Sequence, residues 1–146
     1  MAIINMTVRE TGITEAQNRI NYFIMRFPRE TAAALKKEAE ITMTESKLEV
    51  PVDTGSLRNS GFVQAPKVFN NNISVKLGYG GVATKVNPKT GELTTQYAIQ
   101  VHEDLSVRHR VGKAKFLEDP IKRRRNDIAR NLARSVDRTL ANGGIR

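Results

Sequence analysis

The sequence predicts an α+β domain: a pair of long N-terminal helices kinked near Pro28, an antiparallel β-sheet with hairpins, and a C-terminal helix packed on the sheet. Three observations predict this class. Apolar residues recur at spacings of three and four over residues 14–48, as on one face of a helix. They alternate with polar residues over 61–79, as in strands. Helical spacing returns after Pro120 and ends before Gly143.

The length of 146 residues predicts a single domain spanning 1–146. Within it we expect an N-terminal arm at 1–12, a flexible loop at 80–92 and a C-terminal tail at 142–146. The absence of cysteine excludes disulfides and thiolate metal sites. No apolar run approaches the ~18 residues that span a bilayer. Met1–Met6 lacks the pattern of a secretory signal, so synthesis in the cytoplasm is the expectation.

The first helical part begins at a capping-box pattern, Thr14 followed by Gln17. Pro28 interrupts the pattern, and proline inside a helix ends or kinks it. A second helical run then extends to about Leu48. The sequence therefore predicts two helices, bent at Pro28, whose apolar faces pack in the core.

A structural corner is predicted where the helical part meets the strands. Pro51 lacks a backbone donor and favours an extended residue before it, so the helix should stop there. Asp53 can cap a short turn, and Gly55 keeps that turn free of crowding. With Thr54, these residues form the predicted corner.

The same triplet, Asp53-Thr54-Gly55, also occurs in aspartic proteases. Their chemistry needs two such carboxylates that share a proton, and this chain has one such triplet, so a homodimer would be required. The helical segment before it and the polar residues after it do not fit those β-rich enzymes. The structural interpretation is favoured, and the chain is predicted not to be an enzyme.

Two strands are predicted at Gly61–Phe69 and Asn72–Tyr79, joined in a hairpin by a run of asparagines. Pro66 cannot donate to a ladder, so the first strand should be an edge strand or contain a bulge. The loop that follows is rich in glycine but lacks the Gly-Lys-Ser/Thr ending of a phosphate-binding loop. From Leu93 to Val101 the pattern predicts a third strand, or a strand that ends near Tyr97 in a helical turn.

The cluster His102-Glu103-Asp104 with His109 has the side chains of a zinc site. Its spacing matches no helical His-Glu-x-x-His motif, and a polar loop with backbone-bonded histidines is the alternative. The interpretation without a metal is favoured. No cofactor is predicted.

Positive charge is concentrated at the C-terminal end. The net charge is +9, and residues 108–146 carry +8 of it, which points to an acidic partner. The predicted final helix has Asp119 as its N-cap and Pro120 as its first residue. Its apolar stripe should pack on the sheet or on the long helices, and an arginine row should face solvent or an acidic surface. The stripe is Ile128, Leu132, Val136 and Leu140, and the interaction candidates are Arg123, Arg130, Arg134, Arg138, Lys85 and Lys89.

The order of these motifs resembles a known family over about residues 28–140. The run 50–60, then Tyr97-Ala98 leading to Val101-His102-Glu103, then Gly112-x-Ala114-Lys115-Phe116-Leu117 and a final helix, is similar to the minor capsid or head–tail joining proteins of tailed bacteriophages. These are also called neck or tail-completion proteins. The loop from Gly80 to Gly91 looks longer and more basic than such a protein needs, so no contact is carried over to it.

The resemblance implies a small α+β virion subunit without catalysis, cofactor or membrane. Its implied partners are copies of itself in a ring, a portal-side connector or head-closure protein, a tail terminator or tube protein, and packaged DNA in the channel. Such a protein would be made in the cytoplasm of the host bacterium and located at the head–tail junction. The alternative is a protein that binds nucleic acid non-specifically through the basic C-terminal helix.

Overall fold

The computed structural model describes residues 11–52, 55–70, 72–80, 89, 91, 94–106 and 111–143. These residues form four helices and four short strands, and the predicted α+β class is confirmed. The predicted arm, loop and tail lie mostly outside the described residues and stay predictions. The elements are α1 (Thr11–Glu49), α2 (Ser56–Asn59), β1 (Phe62–Val63), β2 (Lys67–Phe69), β3 (Asn72–Ser74), β4 (Leu77–Gly78), α3 (Thr94–Glu103) and α4 (Glu118–Asn142).

Helix α1 is one continuous helix of 39 residues where the sequence predicted two. Pro28 lies inside it, at the cost of one backbone hydrogen bond and some crowding. The helix continues because both flanks of Pro28 are packed. Phe23 and Phe27 stack with ring centroids 5.0 Å apart and, with Pro28, line a groove against Val68 and Ile73 of the strands.

The strands form one interrupted hairpin, which confirms the predicted hairpin. Its outer part pairs β2 with β3 and its inner part pairs β1 with β4, both antiparallel. Regular strand structure is interrupted over 64–66, around Pro66, although the amide of Gln64 still donates to the carbonyl of Lys76 at 2.7 Å. Asn70 turns the chain with a positive φ of 45°, which asparagine tolerates better than most residues. The register is Lys67 with Ser74, Val68 with Ile73, Phe69 with Asn72, Phe62 with Gly78 and Val63 with Leu77.

The third strand predicted from Leu93 to Val101 is wrong, because Thr94–Glu103 is the helix α3. The inward face of α3 follows helical spacing: Ala98 is buried, and Val101 and His102 are half-buried. Ile99 is 71% exposed. The apparent alternation arose because apolar residues occupy both the inner and the outer face of this short helix.

Helix α4 starts one residue before the predicted cap. Leu117 occupies the N-cap position and makes no side-chain capping bond. The carboxylate of Asp119, the predicted cap, instead accepts a hydrogen bond of 2.6 Å from Lys113. Pro120 lies in the first turn, where the missing donor costs little. Asp119 therefore bonds to Lys113, a residue that precedes the helix, where the sequence predicted that Asp119 would cap the helix.

The packing partner of α4 is α1, the second of the two partners considered from the sequence, and the helices run antiparallel. Near its start, α4 places Arg124 beside Glu45, and at its end Gly143 approaches Tyr22. Much of the buried surface between the helices is polar, and the predicted apolar stripe of α4 is only half-buried. The buried polar residues of the two helices are Glu38, Thr42, Ser46, Ser135 and Thr139.

The apolar core is small and lies at the C-terminal end of α1. Phe116 is its centre and is 1% exposed. Val50, Leu57 and Ala98 complete the buried cluster, with Tyr79, Val101 and Leu117 around it. Among the described residues, no helix is both long enough and apolar enough to cross a membrane.

Candidate functional site

The predicted corner lies between the C-terminal end of α1 and the segment 111–113. The amide of Val52 donates to the carbonyl of Val111 (3.4 Å), and the amide of Lys113 donates to the carbonyl of Glu49 (2.9 Å). Pro51 is buried, and Gly55 starts the short helix α2 with a φ of 79°. The predicted roles of Asp53 and Thr54 concern residues outside the described part of the chain. The described part of the corner therefore joins the end of α1 to the segment 111–113 through backbone hydrogen bonds.

Three rings meet at the core beside this corner. The rings of Tyr79 and His102 approach Phe116 edge-on, with centroid distances of 5.1 and 4.9 Å. Such geometry places ring edges against a ring face, which is favourable for aromatic pairs. The hydroxyl groups of Tyr79 and Ser46 form a hydrogen bond of 2.8 Å. Residues far apart in sequence are thus fixed against the end of α1.

Burial raises the pKa of Tyr79 above its usual value of 10.0, although the hydrogen bond with Ser46 and the charge of Arg58 oppose the shift. The unfolded chain therefore releases this proton at a lower pH than the folded chain. It follows that the contribution of Tyr79 to folding stability is complete below pH 10 and decreases as the pH rises above it.

We expect urea denaturation to show a steeper loss of stability above pH 10 in the native chain than in Tyr79→Phe. At pH 7 the same substitution should cost about 1 kcal/mol through the lost hydrogen bond. Tyr22→Phe is the control, because it removes the hydroxyl of an exposed tyrosine outside the core cluster. Identical profiles for the native chain and Tyr79→Phe would contradict this account.

His102 and Glu103 form the polar side of a small open pocket. His102 Nδ1 lies 2.7 Å from Glu103 Oε1 and donates to this carboxylate. The other ring nitrogen, Nε2, is buried and has no hydrogen-bond partner among the described residues. Hydrogen bonds from Lys115 and then from His102 hold the pKa of Glu103 below its usual value. The pocket has a volume of about 210 Å³ and is lined by Tyr79, Ala98, Ile99, His102, Glu103, Phe116 and Leu117.

The metal site considered from the sequence is not assembled by the part of the chain that the structure describes. That part holds no group of three or more metal-ligating side chains. Asp104 instead accepts hydrogen bonds from the amide and hydroxyl of Ser106. His109 lies outside the described residues. His102 and Glu103 thus line a pocket in which one buried ring nitrogen has no partner in the described part of the chain.

The predicted arginine row divides into two parts. Arg123 forms an ion pair with Glu49 of α1, and Arg130 lies 3.2 Å from Asp127 on its own helix. The hydrogen bonds described for Arg134 and Arg138 lie within α4: Arg138 Nε donates to the carbonyl of Arg134 at 3.2 Å. Lys85 lies outside the described residues, and Lys89 is exposed. Of the described candidates in the row, Arg134 and Arg138 are the cations for which the structure shows no carboxylate partner.

Arg124, the most buried arginine of α4, was not among the interaction candidates predicted from the sequence. Its guanidinium donates to Glu38 at 2.6 Å and to Glu45 at 2.9 Å, and its side chain is 14% exposed. Asn131 donates to the other oxygen of Glu38 at 2.9 Å. The sequence does contain a signal for this contact, because a row of polar residues follows helical spacing on α1. The row is Glu38, Thr42, Glu45 and Glu49.

A groove runs beside this contact, along the side of α4 that carries Arg134 and Arg138. It has a volume of about 660 Å³, and Lys37 and Ile41 of α1 form its other wall. Glu38 also lines it but is already paired with Arg124. Asp137 is the other acidic residue of the lining, so Lys37, Arg134 and Arg138 give this part of the groove a positive balance.

Comparison of the chain with protein-family models, with curated proteins and with solved structures gives no match.

Proposed function

We propose that this chain is a structural virion protein of a tailed bacteriophage. In this proposal it forms a ring in the neck that joins the DNA-filled head to the tail, as a head–tail connector or tail-completion protein. Its partners are copies of itself, the portal-side connector or head-closure protein, and the tail terminator or tube protein. The chain has no catalytic role in this proposal.

One observation carries the proposal: the separate stretches on which the family resemblance rests meet in space. Val50 of the corner, Ala98 of α3 and Phe116 belong to one buried cluster, and Leu57, two residues beyond Gly55, is its fourth member. Gly112 lies against the backbone of Pro51. The motif residues therefore act mainly as a scaffold, which supports a shared structural role better than a shared reaction.

The surface of the chain also supports a role in assembly. Large apolar side chains are exposed along α1, at the tip of the hairpin and beside the small pocket. Examples are Ile24 at 62%, Phe69 at 74% and Leu105 at 76% exposed. Extended apolar exposure of this kind commonly marks protein–protein contact sites. A subunit that is buried by neighbours in a ring would cover such residues.

The test is to remove the gene from the phage that encodes the chain and to examine the particles by negative-stain microscopy. We expect DNA-filled heads beside free tails, and joining of the two when purified protein is added. Complete tailed particles formed without the protein would refute the proposal. A chain with the control substitution Asn18→Asp, on an exposed position of α1, should restore joining.

The alternative, non-specific binding of nucleic acid, is supported by the groove beside α4. Arg134 and Arg138 line it together with Lys37, and cations grouped in this way attract phosphate groups. Arg123 and Arg130 contribute less than the sequence suggested, because each has a carboxylate partner. In the neck proposal, the same groove would face packaged DNA or an acidic protein.

We expect the double reversal Arg134→Glu with Arg138→Glu to reduce retention on a heparin or DNA column, more at low salt than at high salt. The melting temperature should change little, because both side chains are exposed and have no carboxylate partner among the described residues. Arg123→Glu is the matched comparison and should lower the melting temperature through repulsion from Glu49. Unchanged retention after the double reversal would exclude this groove as the anion-binding surface.

A further inference from the structure

The first part of α1 extends beyond the end of α4. Gly143, at the end of α4, approaches Tyr22, and residues 12–22 of α1 are all exposed. Ile13, Ile20 and Ile24 lie on one face of this segment and are 55%, 51% and 62% exposed. Surface helices bury their apolar face against another element, so we expect a partner to cover this exposed face.

The pocket beside His102 lies at the other end of the molecule. Ser46 of α1 is hydrogen-bonded to Tyr79, which lines that pocket. At a helical rise of 1.5 Å per residue, Ile20 and Ser46 are about 39 Å apart along α1. The chain therefore has a protruding apolar face at one end and an apolar pocket at the opposite end.

The two features complement each other in shape and hydrogen bonding. A pocket of about 210 Å³ has room for one large aliphatic side chain. The buried His102 Nε2 has no hydrogen-bond partner among the described residues. The side-chain amide of Gln17, three residues before Ile20 on the same face of α1, could supply one.

Their charges are complementary as well. The segment Thr11–Arg29 has three arginines and one glutamate, a net charge of +2. The segment Thr94–Ser106, which contains α3, has two carboxylates and no lysine or arginine; Lys115 neutralises Glu103, which leaves a net charge of −1. Complementary charge favours encounter of the two surfaces and disfavours pairing of either surface with itself.

We propose that the protruding face of α1 in one copy, with Ile20 as its anchor, docks in the α3 pocket of a second copy, lined by Ile99 and Phe116. This head-to-tail contact uses two different surfaces of the same chain. Contacts of that type close into rings when the rotation between neighbours allows it. The inference rests on the proposed ring and specifies the surfaces that build it.

The test uses the absence of cysteine in the native chain. Ile99→Cys is mixed, in turn, with Ile13→Cys, Ile20→Cys and Ile24→Cys under mild oxidation, and products are separated by non-reducing electrophoresis. We expect a disulfide-linked heterodimer with at least one of the three, most of all Ile20→Cys, because disulfides form only when the two Cα atoms approach within about 7 Å. The double variant Ile20→Cys with Ile99→Cys should give a ladder of linked subunits.

A second measurement is light scattering after size-exclusion chromatography. Ile20→Asp should convert the assembled protein to monomer with unchanged helix content, because Ile20 is half exposed within the subunit. Asn18→Asp, on the opposite face of the same helix, should leave assembly intact. Assembly should weaken as salt is raised.

Three results would overturn the inference: linkage only between identical cysteines, assembly that survives Ile20→Asp, or a native chain that stays monomeric at all concentrations. These outcomes are separate from the test of function. If the protein joins heads to tails but assembles through other residues, the neck role stands and this contact is wrong. If the contact forms but particles without the protein are complete, the contact stands and the neck role is wrong.

Discussion

Replacing Gly112 with alanine is expected to destabilise the fold by roughly 3–5 kcal/mol. Gly112 has a φ of +85°, where a side chain is strained. An added Cβ would also lie 2.5 Å from the nitrogen and 2.6 Å from the Cα of Pro51. These are backbone atoms of a buried residue, so no rotamer change can relieve the overlap. If the segment at Gly112 moved away from Pro51 to relieve the overlap, the hydrogen bonds that join Val52 to Val111 and Lys113 to Glu49 would weaken.

Gly91→Ala is the matched control for this prediction. Gly91 has a similar φ of +73°, but a Cβ there would meet no atom of the described residues within 4 Å. Its replacement should cost only the left-handed strain, about 1–2 kcal/mol. Urea denaturation of both variants at a concentration that keeps the chain monomeric gives the comparison. Equal losses at the two positions would show that the approach of Gly112 to Pro51 does not stabilise the corner.

Features that depend on local chemistry could be predicted from the sequence. The hairpin followed from alternation on both sides of an asparagine turn, and the interruption of regular strand structure followed from the missing donor of Pro66. The end of α1 just before Pro51 followed from the same property of proline. In each case the residue that sets the conformation lies within the element or beside it.

Features that depend on distant residues were missed. Alternation in residues 93–101 indicated a strand, but α3 forms because Ala98 and Val101 pack on the cluster around Phe116. Continuity of α1 through Pro28 likewise depends on the hairpin packed near that position. Residue spacing inside a segment does not contain this information.

The ion pairs of the candidate site likewise depend on residues that are distant in the sequence. Arg123 was predicted to face solvent or a partner, but it binds Glu49, 74 residues earlier in the chain. Glu38 is 4% exposed, and a charged residue is almost never buried without a partner. Its partner Arg124 lies 86 residues away. Neither pairing could be predicted before α1 and α4 were known to be antiparallel neighbours.

The polar contact between α1 and α4 makes the helix pair dependent on one arginine. Removing Arg124 leaves Glu38, whose side chain is 6% exposed, with Asn131 as its remaining described donor. A buried carboxylate that loses its cation is penalised, because it keeps the cost of leaving water without the compensating attraction. Arg124→Met should therefore destabilise the fold by roughly 3–5 kcal/mol, near the cost of breaking a buried ion pair from one side.

Arg125→Met is the control: it changes the same residue type one position away, on an exposed site, and should stay within about 0.5 kcal/mol of the native chain. Adding Glu38→Gln to Arg124→Met should recover part of the loss. The amide oxygen of glutamine can still accept from Asn131 but carries no charge to desolvate. Chemical denaturation of the two single variants and the double variant measures this coupling. If Arg124→Met and Arg125→Met cost the same, or if the second change adds to the loss, the ion pair does not hold α4 on α1.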